Sequence, residues 1–171
     1  MIGRLIPLAV ALVIVVGDRV SKTLIQHSMT LFDSVSIIPG WLRIVHTENP
    51  GAAFGFLAEG NPYLRSAVLI GVSAVVLVLV ASALLSRAGS FSGIGTRLAL
   101  SLILGGAIGN LYDRIVHGTV TDFVEVYHGG WSFPAFNVAD SAITVGAILL
   151  MIDLLRPRRK DVEQHAGFAH K

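Results

Sequence analysis

The sequence predicts an all-α membrane protein of four transmembrane helices, with a small extracytoplasmic β-sheet region on the outer leaflet. Three observations predict it. Apolar residues fill 53% of the 171 positions and charged residues only 14%, where a soluble domain carries about 25% charge; mean hydropathy is +0.72. Four segments approach the ~20 mostly apolar residues that a spanning helix needs. Between the first two, "SVSIIPGWLRIVHTEN" alternates apolar and polar residues around Pro39-Gly40, as a hairpin does. So short a chain leaves few residues outside its spans, and 1–171 reads as a single integral membrane domain.

The first span covers about 5–26, through "LIPLAVALVIVVGDRVSK". Its Arg4 and short apolar run also suit a secretory signal peptide, but no A-x-A-like cleavage site follows, so it is read as retained. The second span, about 65–86, contains the uncharged "VLIGVSAVVLVLVASALL". The third, about 97–116, is expected to stop near His117-Gly118, since glycine suits a helix C-cap; "TVTDF" then reads as a short extended piece. The fourth, about 135–155, contains "FNVADSAITVGAILLMIDLL", and 157–171 reads as a disordered cytoplasmic tail.

Orientation follows from Lys and Arg near span ends. Arg4, then Arg87 and Arg97, then Arg156, Arg158, Arg159 and Lys160 mark three cytoplasmic places, so both termini are expected inside. The outward connections hold Asp33, Glu48, Glu59, Asp122 and Glu125. Trp41, Tyr63, Tyr127 and Trp131 suit the membrane–water interface.

Several chemistries are excluded. There are no cysteines, hence no disulfide, thiol nucleophile or Cys-based zinc site. The histidines show no metal-binding spacing and there is no phosphate loop; no metal or cofactor is expected. The basic pI of about 9.3 reflects topology signals rather than nucleic-acid binding. Ser21-Lys22 does not make a Ser/Lys protease, because adjacent helix residues point about 100° apart.

The polar residues of the spans gather at one depth. Asp18 and Lys22 are four apart near the outer end of span one and can pair. Asn110, Asp113 and Arg114 lie near the outer end of span three; Asp113 with Arg114 reads as a structural pair, though Arg114 could also hold a peptide carbonyl. Asn137, Asp140, Ser141 and Thr144 form one stripe on span four, and Asp122 follows the end of span three. Asp153, three before Arg156, reads as a surface pair at the inner end. Gly105 and Gly109, with Gly106 beside them, permit close helix approach, either for packing alone or to make room for a substrate chain.

Asp140 has no basic neighbour on its own helix, and a buried acid without a cation is expected to be protonated or to share its proton. Asp122 and Asp140 could meet just inside the outer leaflet. Two carboxylates in one site do not both ionise easily; one serves as acid and the other as base, which is enough to hydrolyse a peptide with activated water. The alternatives are a small four-helix transporter or proton pathway using the same acids, and a non-catalytic assembly factor. A transporter should carry polar groups through the whole depth, whereas the inner halves of these spans are almost bare.

"DRVSK" at 18–22, "NPGAAF" at 49–54, "GGAIGNLYDR" at 105–114, "TDF" at 121–123 and "FNVADSAI" at 136–143 are five ordered blocks along nearly the whole chain. In them the chain resembles the lipoprotein signal peptidase (signal peptidase II) family of bacterial membrane aspartic peptidases. The resemblance implies Asp122 and Asp140 as catalytic dyad and Asn49, Gly106, Asn110, Arg114 and Asn137 as substrate-contacting residues. It puts Asp18 and Lys22 on positions important for stability or activity; with Asp113, read above as structural, they are taken as structural or supporting. It implies cleavage of diacylglyceryl-modified prolipoproteins before the lipidated cysteine, contact with membrane lipid, and inhibition by globomycin-like cyclic peptides. The expected place is the bacterial cytoplasmic (inner) membrane, with the active site near the outer, periplasmic face. The chain departs from the family pattern at Arg19, usually Gln, and at Thr121, often Val; Pro50 stands at a variable position.

Overall fold

The computed structural model describes residues 2–51, 61–86 and 93–155. Four long helices, α1 (Ile2–Ser28), α2 (Pro62–Leu85), α3 (Ile94–Val116) and α4 (Val138–Leu155), alternate with strands β1 (Ser34–Ile38), β2 (Leu42–Asn49), β3 (Val120–His128) and β4 (Trp131–Ser132). Among the described residues α2, α3 and α4 are long and apolar enough to cross a membrane. The longer α1 carries Asp18, Arg19 and Lys22 in its second half. The expected tail at 157–171 and the basic positions Arg87, Arg156, Arg158, Arg159 and Lys160 lie outside the described residues.

Local chemistry sets the helix ends. Asn61 caps α2 by accepting from the Tyr63 and Leu64 N–H groups, and Pro62 follows it, so α2 starts three residues before the expected 65. α3 ends as expected, with His117 as cap and Gly118 at φ +77°, the left-handed conformation that glycine adopts without strain. Two side chains satisfy the start of α4: Asn137 Oδ1 accepts the Asp140 N–H at 2.9 Å and Asp18 Oδ1 the Ala139 N–H at 3.0 Å.

α3 is the central helix, packed on α1, α2 and α4. Ala99 and Ala139 are fully buried between helices, and Ala11, Leu84, Leu100 and Leu104 form one apolar cluster. Backbones touch where side chains are missing. A Cβ on Gly105 would lie 2.7 Å from the Ala11 carbonyl oxygen, and one on Gly106 would overlap the Ala139 carbonyl. Small residues let apolar helices associate through close dispersion contact, since lipid gives them no hydrophobic drive to associate. Large side chains such as Leu12, Val78 and Leu79 point outward.

The predicted hairpin forms, turning at Gly40 (φ +79°), and belongs to a four-stranded antiparallel sheet in the order β1-β2-β3-β4. The "TVTDF" stretch is not a short isolated piece. It opens the nine-residue β3, whose pairing with β2 sets Thr47 opposite Asp122 and Glu48 opposite Thr121. Phe136 joins β3 in turn, exchanging hydrogen bonds of 2.8 and 3.0 Å with Val124. This lacing delivers the N-terminus of α4 to the start of β3.

Candidate active site

Asp122 on β3 and Asp140 in the first turn of α4 both line a cavity of about 590 Å³. Its remaining wall is mainly apolar, with Phe133, Phe136, Ile143 and Val145, while Asn49, Arg114, Ser141 and Thr144 add polar groups. Asp122 is 4% exposed, and Asp140 is partly open to the cavity.

Three amides serve the two carboxylates. Asn137 Nδ2 donates to Asp122 Oδ1 at 2.7 Å, Asn49 Nδ2 to Asp122 Oδ2 at 3.1 Å, and Asn110 Nδ2 to Asp140 Oδ1 at 2.7 Å. Each amide has one permitted orientation, because its oxygen already accepts from a fixed donor. Asn137 accepts the Asp140 N–H, Asn49 the Gly51 N–H, and Asn110 the Lys22 ammonium at 3.1 Å. The NH2 ends must therefore face the carboxylates. Burial, and then the nearby Asp140 charge, push Asp122 up to about 7, against the pull of the Asn49 and Asn137 amides and of Lys22.

A buried ion group lies behind the pair. Lys22 and Asp18 are fully buried 2.8 Å apart, the i,i+4 pair expected from the sequence. Asp113, however, does not pair with Arg114. Its Oδ2 is 2.7 Å from Lys22 Nζ, and its Oδ1 meets Arg19. Adjacent residues on a helix diverge, so Asp113 faces α1 while Arg114 turns to the cavity. Among the described residues Arg114 joins no ion pair; its Nη1 donates to the Asn110 carbonyl at 3.3 Å. The space beside Gly106 is taken by Ala139 and Ile143 of α4, and Gly106 is not part of the cavity wall. Asp153 accepts from Thr96 Oγ1 where the start of α3 meets the end of α4, while Arg156 lies outside the described residues.

The structure thus brings Asn49, Arg114, Asp122 and Asp140 to the cavity, with Asn110 and Asn137 directly behind. The sequence reading missed the aromatic wall of Phe133 and Phe136, flanking Pro134-Ala135. It also missed Arg19 as an ion partner; its position beside Asp18 was the available signal.

Residues 10–156 match the family model described as signal peptidase (SPase) II. The chain is similar to lipoprotein signal peptidases of Solibacter usitatus, 44% identical over 88% of this chain and 91% of that protein, and Pseudomonas syringae pv. tomato, 43% identical over 92% and 90%. It is also similar to a bacterial membrane enzyme solved by the in meso method at 2.3 Å, with a TM-score of 0.81 and 32% identity over 92% of this chain and 93% of that one. A second such structure, at 1.9 Å, gives a TM-score of 0.76 and 33% identity over 88% and 92%. The chain belongs to the signal peptidase II family of membrane peptidases.

Proposed function

We propose that this chain is an aspartic endopeptidase of the bacterial cytoplasmic (inner) membrane that removes the signal peptide from diacylglyceryl-modified prolipoproteins, cutting before the lipidated cysteine. The observation that carries this reading is the carboxylate pair, Asp122 and Asp140, facing one largely apolar cavity with amide donors behind each acid. Asp122, shifted up to about 7, keeps the shared proton and donates it to the scissile carbonyl oxygen. Asp140 takes a proton from the attacking water, whose oxygen bonds to the carbonyl carbon. The tetrahedral diol then collapses. The C–N bond breaks, Asp140 returns its proton to the departing amine of the cysteine, and Asp122 recovers the proton of the gem-diol. The products are the signal-peptide carboxylic acid and the free amine.

Arg114 lines the same cavity with its guanidinium outside any described ion pair, so its planar fork is free to hold a substrate carbonyl. Asn49, Asn110 and Asn137 hold the carboxylates in place; of the three, Asn49 borders the space for substrate, while Asn110 and Asn137, expected as substrate contacts, stand behind it. Gly106 supports the site by letting α4 approach. Asp18, Lys22 and Asp113 neutralise one another behind it.

In this reading α1 spans the membrane as well, making four spans in one domain with both termini cytoplasmic. The sheet lies on the outer leaflet and the cavity opens near the periplasmic face. The outward apolar faces meet membrane lipid and the acyl chains of the substrate. A globomycin-like cyclic peptide would inhibit by placing a hydroxyl between the carboxylates as a transition-state mimic. The test is gel-shift cleavage of a lipidated prolipoprotein by the purified protein. Cleavage that is blocked by such a peptide and lost in Asp122→Asn and Asp140→Asn supports the reading; intact cleavage in either folded variant contradicts it.

A further inference from the structure

The ion group behind the carboxylates does more than neutralise itself. Lys22 lies near two carboxylate oxygens, Asp18 Oδ2 at 2.8 Å and Asp113 Oδ2 at 2.7 Å, but it also donates to the neutral Asn110 Oδ1 at 3.1 Å. Two ion pairs need no such contact. Its effect is on the amide: an ammonium has donors and no acceptor, so Asn110 can show it only oxygen. Turning the amide over would set NH2 against a fully buried cation. With the oxygen held, Asn110 Nδ2 falls 2.7 Å from Asp140 Oδ1. Asn137 cannot replace Lys22 as the anchor. Its Nδ2 is 3.4 Å from Asn110 Oδ1, while it lies 2.7 Å from Asp122 Oδ1 and 3.3 Å from the Thr121 carbonyl.

We propose that Lys22 is a positioning residue for the carboxylate pair, acting through Asn110, whose amide it locks with the NH2 toward Asp140. The proposal rests on the reading of Asp122 and Asp140 as the catalytic pair. It gives α1, which contributes nothing to the cavity wall, a part in the chemistry. Without the lock the Asn110 amide can reverse, and its oxygen would then face Asp140 and repel the charged form. Among the described residues the charged groups facing the pair are Lys22 from α1 and Arg114 from α3; β2 adds the neutral Asn49.

Lys22→Met alone leaves Asp18 fully buried with no cation, since Arg19 meets Asp113, a loss that can prevent folding. Lys22→Met in an Asp18→Asn background keeps the Arg19–Asp113 ion pair and is compared with Asp18→Asn alone. Cleavage of a lipidated prolipoprotein is measured across pH for folded protein, in this pair of variants and again with Asn110→Ala added to both. Removing Lys22 should lower kcat roughly tenfold, the rate equivalent of one hydrogen bond, with KM changed less than about twofold. It should also move the alkaline limb of the pH profile upward, because the charged form of the pair has lost a donor. With Asn110→Ala present, removing Lys22 should change kcat less than about twofold and leave the limb in place. An unchanged kcat and pH profile would reduce Lys22 to packing and overturn the proposal. Effects that persist in Asn110→Ala would mean that the charge acts directly, which also overturns it. Full cleavage by folded Asp122→Asn or Asp140→Asn would instead remove the reading beneath it.

Discussion

Asp122→Asn should stabilise the protein at pH 8 and not at pH 5. Asp122 is 4% exposed, so solvent screens its charge little. Its value of about 7, against an ordinary 3.8, means that the folded protein holds a proton that the unfolded chain releases. Stability of the wild type therefore falls as pH rises from about 4 to about 7 and is flat above that. At ~1.36 kcal/mol for each tenfold difference in proton affinity, ionised Asp122 destabilises the fold by roughly 4 kcal/mol above pH 7. Some 2–3 kcal/mol of this, roughly, develops between pH 5 and pH 8. Asn carries no such dependence. It does lose something fixed, since Asn49 and Asn137 both donate to Asp122 and an amide offers one oxygen; one donor left facing NH2 costs about 1–3 kcal/mol at every pH. The variant should then be no more stable than wild type at pH 5 and more stable at pH 8. The difference in Tm should open by roughly 5–10 °C. Thermal unfolding in detergent at the two pH values is the assay. A Tm difference that stays constant from pH 5 to pH 8 would refute the argument that Asp122 is held protonated by burial and by Asp140.

Three further outcomes are expected. Arg114→Lys should lower cleavage at least tenfold, because Lys lacks the fork for carbonyl oxygens; turnover near wild type would remove Arg114 from substrate binding. Gly106→Ala should destabilise by about 1–3 kcal/mol, since its methyl would overlap the Ala139 carbonyl; an unchanged unfolding temperature would show that α3 and α4 can separate freely. Single cysteines at the exposed Ser34 or His128 should react with an impermeant thiol reagent in intact cells, and those at Arg87 or Gln164 should not; labelling at Arg87 would overturn the four-span topology.

Much of the architecture was legible because it rests on local signals. Alternation around Pro39-Gly40 gave the hairpin, and Gly118 gave the end of α3. The i,i+3 and i,i+4 steps gave the polar stripes that meet at the site. What sequence spacing could not supply was pairing between elements. Asp113 sits next to Arg114 in the chain, yet helix geometry turns the two apart, and its cations come from α1. The length of β3 follows from its ladder with β2, although the alternation in "VEVY" hinted at it. Asn137 was visible as a polar residue on the stripe. Its double duty, capping α4 while donating to Asp122, requires the β3–Phe136 lacing that only the folded chain provides. The Asn61-Pro62 start of α2 was readable as a cap followed by N1 proline and was passed over for the apolar run after it.

The central claim is that Asp122 and Asp140 act as one catalytic unit on a lipidated prolipoprotein. The most direct measurement is single-turnover cleavage of that substrate by folded wild type, Asp122→Asn, Asp140→Asn and the double variant. Each single variant should lose roughly 10³-fold or more, and the double should be little worse than either, because groups that act together are lost together. A folded single variant cleaving near the wild-type rate, or losses that multiply in the double, would contradict the account.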